Sequence, residues 1–140
     1  MANSTSANLK LTVQATGENS GTWGQITNTN LLILEQAIGG FTTFNITNAA
    51  RSLTFTNGAL SNGKNEVIKL TGTLEGNLNV TIPDSVEKTY IVEDGCDHAG
   101  FTLTFKTTSG TGVLLCEGHT YTLYSDGTNV VKAGELKKWR

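Results

Sequence analysis

Four side chains in this sequence suit soft divalent metals, and they come in two close pairs: Cys96 with His98, and Cys116 with His119. Two thiolates and two imidazoles are a sufficient set for tetrahedral zinc. The spacings, Cys-x-His and Cys-x-x-His, follow no zinc-finger pattern, and each pair falls in an expected turn. The four are therefore read as loop residues, with no metal and no other cofactor assigned. Glu93, Asp94 and Asp97 surround the first pair and offer oxygens to calcium, but without the ligand spacing of an EF-hand they read as a solvated acidic turn. Ser61, Ser85, Ser109 and Ser125 lie in turn-like stretches without a Gly-x-Ser-x-Gly elbow. Ser109-Gly-Thr-Gly-Val113 precedes no helix, so it lacks the amide cradle of a phosphate loop. The chain is read as a non-enzyme.

The elements that hold these residues are β-rich, with a single helix. Leu9, Leu11 and Val13 alternate with Lys10, Thr12 and Gln14, which predicts a strand over 8–15 behind a polar arm. Thr22 is placed to cap the helix that follows, and Gly39-Gly40 to end it in the left-handed conformation. From Phe41 onward the pattern is short strands: 41–47, 52–56, 66–71, 78–82, 89–93, 101–106, 113–116, 121–124 and 129–132, divided by Asn-Gly, Glu-Gly and Asp-Gly turns. Pro83, the only proline, ends one of them. The expected fold is mainly β, a β-sandwich or small antiparallel barrel with one N-terminal α-helix. Its parts are an arm, strand and loop (1–21), the helix (22–40), a β-domain (41–133) and a basic tail (134–140). Leu53-Thr-Phe-Thr-Asn-Gly and Leu70-Thr-Gly-Thr-Leu share a cadence, but no period recurs over three units, so no solenoid is expected.

At 140 residues the chain is one domain with room for a core. A net charge of -2 gives no general attraction to nucleic acid or to anionic membranes. The first residues lack a basic and an apolar signal region, and no apolar run spans a bilayer, so a protein made and kept in a cytosol, or released without a signal, is expected. Two cysteines make no disulfide framework and are read as free thiols. The sequons at Asn3, Asn45 and Asn79 are read as turn and edge-strand residues.

The helix carries two apolar stripes. Trp23, Ile26, Asn30, Ile33 and Ala37 recur at steps of three and four residues, and Thr27, Leu31, Leu34 and Ile38 form the neighbouring stripe. One stripe suffices to dock a helix on its own sheet, so the second calls for a partner, and a further copy of the chain is the expected one. The expected assembly interface is Trp23, Ile26, Asn30, Ile33, Leu34 and Ala37, with Asn30 pairing among symmetry mates to fix register. Trp139 in the terminal Lys137-Lys138-Trp139-Arg140 is expected to dock as an arm on a neighbour.

The segments Asn8-Leu-Lys-Leu11, Gly21-Thr-Trp-Gly-Gln-Ile-Thr-Asn-Thr-Asn-Leu-Leu-Ile-Leu-Glu-Gln-Ala-Ile-Gly-Gly40 and Val67-Ile-Lys-Leu-Thr-Gly-Thr-Leu74 carry a resemblance. So do Asn77-Leu-Asn-Val-Thr-Ile-Pro83, Lys88-Thr-Tyr-Ile-Val92, Phe101-Thr-Leu-Thr-Phe-Lys-Thr107 and Tyr124-Ser-Asp-Gly-Thr-Asn-Val-Val131. Together they resemble a β-rich module of tailed-bacteriophage virion proteins, over roughly residues 8–133. The resemblance implies a structural component of a tail fibre or a capsid surface decoration, with the virion as its location after assembly in the host cytoplasm. It also implies other virion proteins, and in a fibre a host surface polysaccharide, as partners. Symmetric association as a homotrimer is the expected mode of action. The competing reading is a carbohydrate-binding module without catalytic activity, with Tyr90, Phe101, Tyr121 and Tyr124 as a stacking face for sugar rings.

Overall fold

The computed structural model describes residues 2–47 and 51–137. In chain order the strands are β1 (Ser4–Thr5), β2 (Thr12–Val13), β3 (Phe41–Asn45), β4 (Arg51–Ser52), β5 (Val67–Thr71), β6 (Leu78–Ile82), β7 (Glu87–Asp94), β8 (Leu103–Thr107), β9 (Gly112–Leu115), β10 (Thr120–Asp126) and β11 (Val130–Leu136). Helix α1 (Trp23–Gly39) lies between β2 and β3, and Asn62–Lys64 forms a single 3-10 turn.

Two larger sheets form from strands that alternate between them. β3, β5 and β7 lie side by side in parallel, and β10 and β11 continue that sheet antiparallel, giving the order β11-β10-β7-β5-β3. β4, β6 and β8 are also parallel, and β9 adds antiparallel to β8, giving β4-β6-β8-β9. The chain thus crosses from one sheet to the other at each step from β3 to β8, in three successive rungs. Phe41 sits beside Val67, Val67 beside Ile91, Arg51 beside Val80 and Leu78 beside Leu103, so one circuit takes 24 to 29 residues. The central ladders are parallel and the sheets do not close, which corrects the expectation of an antiparallel barrel. It also supplies the coil-like repetition that the sequence did not show, because the rungs share strand position but not residue identity or loop length.

Alternation fixes which way each strand faces. Ile68 and Leu70 of β5, Tyr90 and Val92 of β7, and Tyr121 and Leu123 of β10 turn inward to meet Val80 and Ile82 of β6 and Leu103 and Phe105 of β8 in one core cluster. The Tyr90 and Phe105 rings meet edge to face with centroids 5.6 Å apart, and the Tyr90 hydroxyl donates to the Gly63 carbonyl at 2.5 Å. Lys64, fully buried, donates to the carbonyls of Thr56 and Ala59 at 2.6 and 2.7 Å and so ties down the loop before β5.

Several local expectations are corrected. The 8–15 strand is broken at Lys10, whose φ is +57°, and the remaining piece, β2, pairs with β1 from the segment expected to be an arm. Of the expected 52–56 strand only β4 exists; beyond it Thr54 turns to the Asn62 side chain, with N–H to Oδ1 at 2.6 Å. β11 runs to Leu136, so residues 134–136 are strand rather than tail. Lys138, Trp139 and Arg140 lie outside the described residues.

Candidate assembly interface

Helix α1 begins without a side-chain cap: the Thr22 hydroxyl donates back to the Asn19 carbonyl at 3.2 Å. Its end also differs from the expected left-handed turn, because Gly40 is extended (φ -76°, ψ 141°) and leads straight into β3. Glycine is needed there for space, since a Cβ on Gly40 would collide with the Gln36 carbonyl oxygen and with Asn65 Oδ1. That carbonyl receives the N–H groups of Gly40 (2.8 Å) and Glu66 (3.2 Å), which fastens the last turn of the helix to the start of β5.

The two stripes part company. Ile33 is the one fully buried side chain of the helix, with Ile26, Asn30 and Ala37 half-buried beside it, so this stripe faces the chain's own β-structure. Trp23, at the stripe's first turn, is 64% exposed. On the other side Leu31 is 58%, Leu34 37% and Ile38 79% exposed. Thr27, formally of the outer stripe, is half-buried and accepts a hydrogen bond from Gln14 Nε2 at 3.0 Å. Asn30 corrects the expected seam role: its Oδ1 accepts from Thr12 N–H and its Nδ2 donates to the Thr12 carbonyl, both at 2.9 Å. The amide thus uses one donor and one acceptor within its own chain, where it satisfies both backbone groups of Thr12.

The helix leads into a sheet with an open edge. β3 follows α1 through Gly40 and pairs only with β5, so among the described residues its other edge is unpaired, with Phe41 60% exposed upon it. A groove between the helix end and the loop before β5 is lined by Leu32, Gln36, Phe41 and Leu60. Two buried side-chain atoms lack a hydrogen-bond partner among the described residues, Gln36 Oε1 and Arg51 Nε. The first belongs to α1 and the second to β4, the edge strand of the smaller sheet, so both lie at the coil's first rung.

The residues with chemical potential are distributed differently. Cys96 belongs to the core, and burial followed by the nearby Asp94 charge pushes its thiol up to about 12, far from thiolate behaviour. His98 Nε2 is 2.6 Å from Asp94 Oδ2, while Asp94 Oδ1 accepts the Cys96 N–H at 3.1 Å. Asp94 is fully buried; burial raises its pKa, and the His98 and Cys96 hydrogen bonds counter that rise. The two expected turns do touch, through Asp94 N–H to the His119 carbonyl (2.9 Å) and Gly118 N–H to the Asp94 carbonyl (2.8 Å). The Cys96, His98, Cys116 and His119 side chains nevertheless form no common cluster; Cys116 and His119 gather Glu135 instead. Glu93 and Asp97 do not join Asp94 in a calcium cage: Glu93 lies 3.8 Å from Lys69, and Asp97 Oδ1 accepts the Ala99 N–H. Of the proposed sugar platform, Tyr90 and Tyr121 are core residues, leaving Phe101 and Tyr124 exposed.

Among the described residues no helix is long and apolar enough to cross a membrane. No protein-family model, no curated protein and no solved structure matches the chain. The likeness to the phage module therefore rests on the segments quoted for it.

Proposed function

We propose that this protein is a bacteriophage virion structural component, a tail-fibre part or a capsid surface decoration, which acts by assembling symmetrically as a homotrimer. The observation that carries the reading is the outward stripe of α1, Leu31, Leu34 and Ile38, together with exposed Phe41 at the start of β3, whose outer edge is unpaired among the described residues. Large apolar groups gathered beside a free strand edge mark a surface that a partner covers. Fully burying an exposed Leu or Ile contributes about 1.5–3 kcal/mol, so a few such side chains per subunit supply a useful share of an association energy. The contact set of this proposal is the exposed outer stripe with Trp23, and of the residues first expected it keeps Trp23 and Leu34 and leaves out the half-buried or buried Ile26, Asn30, Ile33 and Ala37.

Sedimentation at micromolar concentration tests the association. The wild-type chain is expected to be trimeric and the double variant Leu31→Lys, Ile38→Lys monomeric with an unchanged melting temperature; a monomeric wild type overturns the reading. Labelling the protein in intact virions then separates its locations, with dense coverage of the shell for a decoration and a few copies on the tail for a fibre component. Absence from the particle removes the virion role.

A further inference from the structure

The turn between β9 and β10 is four residues long, Cys116-Glu-Gly-His119, closed by His119 N–H to the Cys116 carbonyl at 3.1 Å, with Gly118 at φ +81°. Such a turn leaves its first and fourth residues flanking one another. β11 then lies beside β10 with Glu135 opposite Tyr121, which brings a carboxylate to the same spot. The ligating atoms of Cys116, His119 and Glu135 all fall within 4.8 Å of one another. His119 Nδ1 is in direct contact with Glu135 Oε2, while Glu135 Oε1 is held by Lys132 Nζ at 2.9 Å. The Tyr121 hydroxyl accepts the Cys116 N–H at 2.6 Å, and its ring stacks on His119 with centroids 6.2 Å apart. Three donors of different softness are thus fixed by three separate devices: the turn, the tyrosine and the lysine.

We propose that Cys116, His119 and Glu135 form a binding site for a zinc ion. A thiolate, an imidazole and a carboxylate are all zinc donors, bound at about 2.3, 2.0–2.1 and 2.0–2.2 Å respectively. The charges of one thiolate and one carboxylate balance those of Zn²⁺, and the sulfur and nitrogen donors disfavour calcium and magnesium, which prefer all-oxygen shells. Binding displaces the thiol proton of Cys116 to solvent and replaces the direct His119–Glu135 contact with two bonds to the metal. Lys132 keeps Oε1 occupied and leaves Oε2 to the ion, the orienting part that an outer-shell partner plays. Cys116 and Glu135 are exposed and His119 is half-buried, so the fourth position faces solvent and takes a water. The site is independent of the helix surface proposed for assembly.

The test is a titration of zinc into the reduced, metal-stripped full chain against a chromophoric chelator, with cobalt as a spectroscopic substitute. One equivalent is expected to bind with release of a proton, and cobalt is expected to give a thiolate-to-metal charge-transfer band. Cys116→Ser should abolish that band, and His119→Gln and Glu135→Gln should each weaken zinc binding about tenfold or more. Cys96→Ser should change nothing, and far-UV circular dichroism checks that every variant is folded. Absence of stoichiometric binding at micromolar zinc overturns the site, as does binding that Cys96→Ser removes and Cys116→Ser leaves intact.

Discussion

In the two-sheet coil, inward side chains from β5 to β10 merge into one connected core, whereas α1 fully buries only Ile33 and leaves Leu31 and Ile38 in solvent. The coil is held by dispersion and apolar burial spread over many residues, and the helix by a few discrete hydrogen bonds. Asn30 clamps Thr12, and the Gln36 carbonyl gathers Gly40 and Glu66. Orphaned buried atoms occur at the helix and at β4, the edge strand on the first rung. The far rung is extended by the antiparallel additions of β9, β10 and β11. Both ends keep edge strands, β3 and β4 at one and β9 and β11 at the other, and the first adds the apolar stripe of the helix.

The contrast breaks most visibly in the core. Phe105→Ala removes the ring packed on Tyr90 between the sheets and is expected to cost about 3–5 kcal/mol in chemical denaturation, with the whole domain melting earlier. A loss below about 1 kcal/mol would show that the two sheets do not share a cooperative core. Asn30→Ala is expected to cost less, about 1–3 kcal/mol, because it strands a half-buried backbone donor and acceptor at Thr12. Its effect should be local: hydrogen exchange accelerates in β1, β2 and α1 and stays slow in β7 and β10. Uniform acceleration would mean that helix and coil open as one unit.

The smallest effect sits at the seam between the two regions. Lys88 Nζ donates to the Asn65 and Thr89 carbonyls at 3.0 Å each and lies 4.1 Å from the Tyr90 ring centroid. Burial lowers its pKa to about 8, partly countered by Glu66. Between about 8 and 10.5 the unfolded chain holds the proton that the folded chain has released, so this lysine makes stability rise with pH across that window. Below about 8 both states are protonated, and that gain is absent. Lys88→Met should flatten the slope of unfolding free energy between pH 8 and 10.5. An unchanged slope would place the lysine in water rather than in the seam.

Much of the frame was legible because period-two alternation survives any choice of neighbour. Leu78, Val80 and Ile82, and Leu103 and Phe105, read as strands and are strands. Where alternation misled, a backbone conformation intervened: Lys10 at φ +57° interrupts Leu9, Leu11 and Val13. The candidate surface was half legible. Helical spacing separated two stripes, but nothing in that spacing says which one meets the sheet, and Asn30 read as a seam residue because its partner Thr12 is eighteen positions away. Glu135 was missed as a companion of Cys116 and His119, since only the β10–β11 register places it there.

The amino-acid pattern by itself determined a mainly β chain with one amphipathic helix, the positions of most strands and the turns between them, since these follow from local dihedral preferences and residue-to-residue periodicity. Tertiary structure alone decided that β3, β5 and β7 pair in parallel, that Leu31, Leu34 and Ile38 face outward, and that Cys116, His119 and Glu135 converge. Those outcomes depend on which strand finds which across 24 to 29 residues of chain, a choice made by burying a shared core and invisible to any local window.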